Sequence, residues 1–189
     1  MGNLEKLIII GAGGFGKVVL EHAMKEYDCA FADDGIEIGT MVCGCPIVGK
    51  TTNLDRLNGI YKKLIVAIGD NKIREKIYRE AKKLGYTFPN IICNSAYISP
   101  FAKIGSGCVI LNNVVVQNNA QIGNGVILNP GVEIHHESKI GNNVLIYTNS
   151  VIRTYANVCD RAWIGSTLTI GNRVKIEDDE VVPDGKTIL

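Results

Sequence analysis

Four things are scarce in this chain: net charge, long apolar runs, histidine, and cysteines at the spacing of a metal or redox motif. Twenty Lys and Arg against nineteen Asp and Glu leave a net charge of +1, so charge marks neither a nucleic acid nor an anionic membrane as a partner. No apolar run approaches the roughly 18 residues of a membrane span. The start, with Glu5, Lys6 and a glycine cluster from Gly11, does not have the pattern of a signal peptide. The six cysteines (Cys29, Cys43, Cys45, Cys93, Cys108, Cys159) form no paired framework, and Cys43 and Cys45 lack the two-residue spacer of a redox or zinc motif. They read as reduced, structural thiols in the cytoplasm. What the chain does have is 189 residues of 46% hydrophobic content, enough for a real core in one or two domains.

From Ile98 onward every sixth residue is aliphatic: Ile98, Ile104, Ile110 and Val116 through to Ile176 and Val182, fifteen hexads without an insertion. Four residues after each aliphatic stands a second position, small or apolar thirteen times, from Ala102 and Cys108 to Val174; Glu180 and Lys186 end the run. A helix smears a period of six over all its faces, and a flat strand wants a period of two. A triangular coil wants six: each side is a short strand and each corner a turn. Three sides make an 18-residue coil, so the aliphatics stack into internal ladders and the small residues fit the corners. This pattern predicts a hexapeptide β-helix of five coils over residues 95–189.

Residues 1–94 follow another pattern and are expected to form a separate domain. Leu7-Ile8-Ile9-Ile10 is a buried-strand run, followed by Gly11-Ala12-Gly13-Gly14-Phe15-Gly16 and a helical stretch from Lys17 to about Glu26. This strand, G-x-G-x-x-G turn and helix is the arrangement in which backbone N–H groups approach a phosphate. A second strand, Cys29 to Ala32, ends in Asp33-Asp34, where such a fold holds a ribose hydroxyl; a solvated turn is the plainer reading. Residues 35–61 read as irregular, apart from a helical turn near Asn53–Leu57. A third strand, Lys63 to Ile68, precedes Gly69-Asp70-Asn71 and a helix whose stripe is Ile73, Ile77, Ala81 and Leu84, stopped by Gly85. Thr87 to Cys93 is a candidate fourth strand, limited to an edge by Pro89. The whole is a half-size Rossmann unit, which suits a mononucleotide ligand better than a dinucleotide.

The candidate chemistry lies at His135 and His136. The β-helix interior belongs to the aliphatics, so a histidine on the coil has no packing duty; two exposed polar residues is the alternative. His136-Glu137 offers a general base and a carboxylate to orient it, provided the corner brings the two together, because adjacent strand residues point apart. With 18 residues per coil, Asn118, His136 and Thr154 should stack at about 4.8 Å per rung. The coil has no third histidine, which argues against a three-histidine metal centre, and no metal site is expected. His22, in the first domain's helix, reads as structural or solvated.

Taken in order, Ile8 to Gly16, Asp33-Asp34, Ile65-Val66-Ala67-Ile68-Gly69 with Asn71-Lys72-Ile73-Arg74, and Leu128-Asn129 through His136-Glu137 to Ile140-Gly141 resemble the bacterial nucleotide-sugar acetyltransferases. That family includes sialic-acid O-acetyltransferases and the UDP-4-amino-sugar N-acetyltransferase of bacillosamine synthesis. The likeness covers the whole chain. It implies an α/β Rossmann-like domain followed by an all-β left-handed parallel β-helix. It further implies a homotrimer with acetyl-CoA between neighbouring subunits, a UDP-linked amino sugar held by the first domain, and no resident metal. By position, Gly13, Gly14, Phe15, Asp33, Asp34 and Gly69 would line the sugar-nucleotide site, and Asn129 matches the family's asparagine near the active centre. His136 would be the base, with Glu137 stabilising the imidazolium. Leu145 stands where the family has a histidine touching acetyl-CoA. Thr154 replaces a family glycine whose backbone N–H meets the oxyanion, and a positive φ there would be costly for threonine. Ser166 and Asp184 mark the outer cofactor contacts. Phe15 replaces a frequent histidine facing the sugar; it can pack on a methyl group but cannot hydrogen-bond, which favours a 6-deoxy sugar.

The reading that follows is acetyl transfer from acetyl-CoA to the amine of a UDP-linked amino-deoxy sugar. The alternatives are O-acetylation of a sugar hydroxyl and a non-catalytic nucleotide-sugar-binding protein on the same frame.

Overall fold

The computed structural model describes residues 4–189, which divide into two compact units, one running up to Ile91 and the other Ile92–Leu189. The first is built on a five-stranded sheet. Its strands are β1 (Glu5–Ile10), β2 (Tyr27–Ala32), β3 (Met41–Val42), β4 (Cys45–Gly49) and β5 (Lys63–Val66), and its helices are α1 (Gly14–Ala23), α2 (Leu54–Leu57) and α3 (Asn71–Lys83). The sheet order is β3-β4-β2-β1-β5. β4, β2, β1 and β5 run parallel, while β3 pairs antiparallel with β4. The sheet's core is as apolar as the strands read: Leu7 to Ile10 and Leu64 to Val66 are wholly buried, as a parallel sheet covered on both faces requires.

Several local expectations are corrected. Residues 35–61 are not irregular throughout: Met41–Val42 and Cys45–Gly49 form a hairpin whose turn residues, Cys43 and Gly44, both have positive φ (48° and 80°). A two-residue turn of this kind matches the twist of the strands; the signal was Gly44, masked by the cysteines and Pro46 around it. The expected fourth strand over Thr87–Cys93 shrinks to one bridge, Lys63 to Thr87, and Ile91–Ile92 joins a β-helix sheet instead. The buried positions of α3 are Asn71, Arg74, Ile77 and Ala81, whereas Ile73 and Leu84 are exposed. The charged Arg74 takes the core-facing slot because its guanidinium finds carbonyls to bond there. Gly85 ends the helix as expected: with φ +83° it lets its own N–H reach Lys82 and that of Tyr86 reach the Ala81 carbonyl, the two bonds of a Schellman closure.

In the coil seventeen two-residue strands run from Ile91–Ile92 to Thr187–Ile188, one more at each end than the fifteen aliphatics marked out. They form three parallel faces of six, six and five strands. The first face holds Ile127–Leu128, Leu145–Ile146 and Trp163–Ile164; the second holds Val115–Val116, Glu133–Ile134 and Val151–Ile152; the third holds Gln121–Ile122, Lys139–Ile140 and Asn157–Val158. Pairing is offset by 18 residues throughout, as in Val116 to Ile134 to Ile152. This unit is a left-handed parallel β-helix. Both repeat positions line its interior: Ile110, Leu128, Ile146 and Ile164 from the strands, and Cys108, Val114, Ala120 and Ala156 from the corners, are fully buried.

The corners have a rule of their own. The third residue after the inner aliphatic is left-handed at turn after turn, as at Gly107, Asn113, Asn119, Gly125, Glu137, Asn143, Tyr155 and Arg173. Gly and Asn adopt this conformation most cheaply. Glycines directly after the aliphatic serve another purpose: a Cβ on Gly123 would lie 2.7 Å from the Gly141 carbonyl in the next coil.

Candidate active site

The carboxyl ends of β2, β1 and β5 lie side by side, and the loops leaving them carry Asp33, the glycine turn and Gly69. The turn is close-packed where it must be. A Cβ on Gly16 would fall 1.9 Å from the Gly11 carbonyl, while Gly13 and Gly14 have nothing within 4 Å of a Cβ position. Gly13 is the N-cap of α1 and receives no side-chain cap, so the first N–H groups of that helix point into an open approach, the geometry that takes an anion. Phe15 is half-buried in the first turn of α1.

The paired aspartates divide their work. Asp33 accepts from the Ala12 N–H (2.8 Å) and the Gly35 N–H (2.9 Å), bracing the glycine turn. Asp34 accepts from the N–H and hydroxyl of Thr51, both at 2.7 Å. Asp34 is exposed and Asp33 partly buried, and each carboxylate retains acceptor capacity. Gly69 lies over a residue given no role of its own by the sequence reading. Arg74, 0% exposed, donates to the carbonyls of Ile68 (2.9 Å) and Gly69 (3.3 Å) and to Asn71 Oδ1 (2.7 Å). A guanidinium buried against carbonyls pins the Gly69 loop; its helix position gave no hydropathy signal.

On the β-helix, the corner between the second and third faces carries His136 and Thr154. His136 is exposed, its Nε2 lies 3.3 Å from Thr154 Oγ1, and its backbone N–H donates to Gln117 Oε1 at 3.1 Å. The stacking expected for the 18-residue coil therefore holds for this pair. Thr154 is not left-handed; the positive φ falls on Tyr155, at 63°, so the threonine carries none of the strain expected of it. Its N–H donates to nothing among the described residues.

The expected contact between His136 and Glu137 is absent. Glu137, the left-handed corner residue, accepts from Asn119 Nδ2 in the preceding coil at 2.8 Å. The carboxylate–histidine pair forms at His135 instead, whose Nε2 lies 3.3 Å from Glu133 Oε2. Residues two apart on a strand share a face, and neighbours do not. The Tyr155 and His136 rings meet nearly perpendicular at a centroid distance of 6.1 Å, and the Arg173 guanidinium sits 5.3 Å from the centroid of the Tyr155 ring.

The remaining candidates are elsewhere on the prism. Asn129 follows a first-face strand and donates to the Ile146 carbonyl at 3.0 Å. On that same corner the Ser166 N–H donates to Asp184 Oδ1 at 2.7 Å. Leu145 is in a first-face strand between Ile127 and Trp163 and is only 3% exposed, so it offers no open surface to a cofactor. A groove of about 460 Å³ on the third face, between Gln121, Lys139, Asn157 and Asp178, contains none of the anticipated residues. Among the described residues no three His, Cys, Asp or Glu side chains gather into a metal-ligating group, and no helix is long and apolar enough to cross a membrane.

Residues 6–81 match the PglD N-terminal domain, and residues 119–154 match the bacterial transferase hexapeptide family (six repeats). The chain is 33% identical to the acetyltransferase domain of PglB from Neisseria gonorrhoeae, solved with acetyl coenzyme A, over 98% of this chain and 96% of that one, with a TM-score of 0.72. The chain belongs to the bacterial nucleotide-sugar acetyltransferase family. PerB from Caulobacter crescentus, solved with CoA and GDP-perosamine, is 27% identical over 96% of this chain and 92% of its own, at a TM-score of 0.69. WeeI from Acinetobacter baumannii, at 22% identity over 97% of this chain and 95% of its own, with a TM-score of 0.79, shares the fold.

Proposed function

We propose that this protein moves the acetyl group of acetyl-CoA onto the amine of a UDP-linked amino-deoxy sugar, with His136 as general base. The reading is carried by one arrangement: an exposed imidazole stacked on Thr154 at a β-helix corner, in a chain a third identical over its whole length to a domain solved with acetyl coenzyme A. The amine attacks the thioester carbonyl directly while Nε2 takes its proton. The carbonyl oxygen becomes an oxyanion that accepts from the Thr154 N–H; when the tetrahedral intermediate collapses the C–S bond breaks, and the imidazolium returns its proton to the sulfur, so CoA leaves as the thiol and the ring is neutral again. General-base help of this kind is worth about 10²–10⁴-fold and one oxyanion donor about 10²–10³-fold.

The sugar nucleotide is assigned to the carboxyl edge of the first unit's sheet, with its phosphates at Gly13-Gly14, its ribose and base near Asp33 and Asp34, and the sugar near Gly69 and Phe15. A half-buried phenyl ring suits the methyl of a 6-deoxy sugar. His136 and the cofactor candidates Ser166 and Asp184 occupy different corners of one prism, so a single chain cannot bring them together. A cyclic trimer, in which the corner of one subunit meets the neighbour's, supports a shared site. With six free thiols, the protein is assigned to the cytoplasm.

The test is a panel of UDP- and GDP-linked sugars with acetyl-CoA, a thiol reagent for released CoA, and mass spectrometry of the product. Acetylation of a UDP-4-amino-4,6-dideoxyhexose is expected to proceed with the highest kcat/KM. Preference for the 4-hydroxy analogue would refute the amine, preference for GDP would refute the uridine nucleotide, and a stable monomer in light scattering would refute the shared site.

A further inference from the structure

We propose that the Thr154 hydroxyl is a positioning residue for His136: it donates to Nε2 and holds the ring in the neutral tautomer with its proton on Nδ1. This rests on the reading of His136 as the base.

The geometry isolates the pair. Thr154 Oγ1, 3.3 Å from Nε2, is the one hydrogen-bonding group at the ring among the described residues. The neighbouring carboxylate is committed to Asn119, and Tyr155 meets the ring only by an edge contact. The orienting role that Glu137 was expected to fill therefore falls within this chain to a hydroxyl one coil away. Thr154 is suited to it. Its branched Cβ restricts the side chain to few rotamers, and its backbone is tied to the next coil by the Arg173 N–H, which donates to the Thr154 carbonyl at 3.1 Å.

A neutral imidazole carries one N–H and one lone pair; a threonine hydroxyl can donate to the lone pair or accept from the N–H, and a base that takes the acceptor's proton at Nε2 requires the first arrangement. A hydroxyl donating to Nε2 leaves the lone pair there, on the nitrogen that must take the acceptor's proton. When the sugar amine arrives, its N–H replaces the hydroxyl donor at Nε2, and the ring needs no tautomer change before proton transfer. A glycine at this position would leave the tautomer to solvent.

The contact can be read without substrate by ¹⁵N NMR of the imidazole nitrogens, with the His136 signals assigned from their loss in His136→Ala. Wild type and Thr154→Ser are expected to show a neutral ring with Nδ1 protonated. Thr154→Val, which keeps the shape and removes the hydroxyl, should move it toward the Nε2–H form. In the same series kcat should fall about tenfold for Thr154→Val, with KM for acetyl-CoA little changed, and recover in Thr154→Ser. An Nε2–H ring in the wild type, or a Thr154→Val protein with unchanged tautomer and kcat, would overturn the proposal. A tautomer shift in a protein that acetylates no sugar in the panel would uphold the contact and overturn the proposed function instead.

Discussion

The two units solve the same problem, burying backbone and apolar side chains, by opposite means. The β-helix repeats one solution: an inner aliphatic every six residues, a small residue at the corner, and a left-handed residue between them. The first unit uses each solution once. Gly16 is needed because one carbonyl lies beneath it, Asp33 because one turn must be braced, and Arg74 because two carbonyls end a strand. Repetition makes a scaffold on which surface residues such as His136 can vary without disturbing the core. Single-use contacts bind loop geometry and stability together.

That contrast can be tested, beginning with its largest consequence. Ile146→Ala empties one rung of the inner ladder and should cost about 2–5 kcal/mol. Hydrogen exchange should show the loss spreading to the rungs it pairs with, at Leu128 and Ile164; loss confined to residue 146 would mean the rungs are independent. His136→Ala should lower turnover by about 10²-fold or more with an unchanged melting temperature, since the ring belongs to no ladder, and His135→Ala should cost far less. Equal activity of the two variants would remove His136 from the mechanism. Arg74→Met should both destabilise the first unit, by about 1.5–3 kcal/mol for lost charged hydrogen bonds, and raise KM for the sugar nucleotide. An effect on melting alone would separate the Gly69 loop from binding. The smallest effect is expected at Gly13, whose φ of −70° and open surroundings admit a methyl group. Gly13→Ala should cost under about 1 kcal/mol and raise KM several-fold for the nucleotide sugar but not for acetyl-CoA; the reverse would place the nucleotide elsewhere.

Legibility followed the same division. A period of six has one structural solution, so the β-helix and its 18-residue register were readable from Ile98 to Val182, and with them the stacking of Thr154 on His136. The glycine turn was readable because few arrangements require its spacing. The hairpin at Cys43-Gly44 was not, since two-residue strands carry almost no pattern. The buried face of α3 was misread because hydropathy ranks Ile73 above Arg74 and takes no account of the carbonyls waiting at Ile68 and Gly69.

By itself, then, the sequence determined which residues stack and which loops end the strands, because periodicity and backbone sterics act locally and repeat. Only the tertiary structure decided which side chains touch. It paired Glu137 with Asn119 rather than His136, His135 with Glu133, and the His136 ring with a hydroxyl from the next coil. Those choices depend on where each side chain points from its corner or strand, a direction that hydropathy and spacing do not encode even where the 18-residue register is readable.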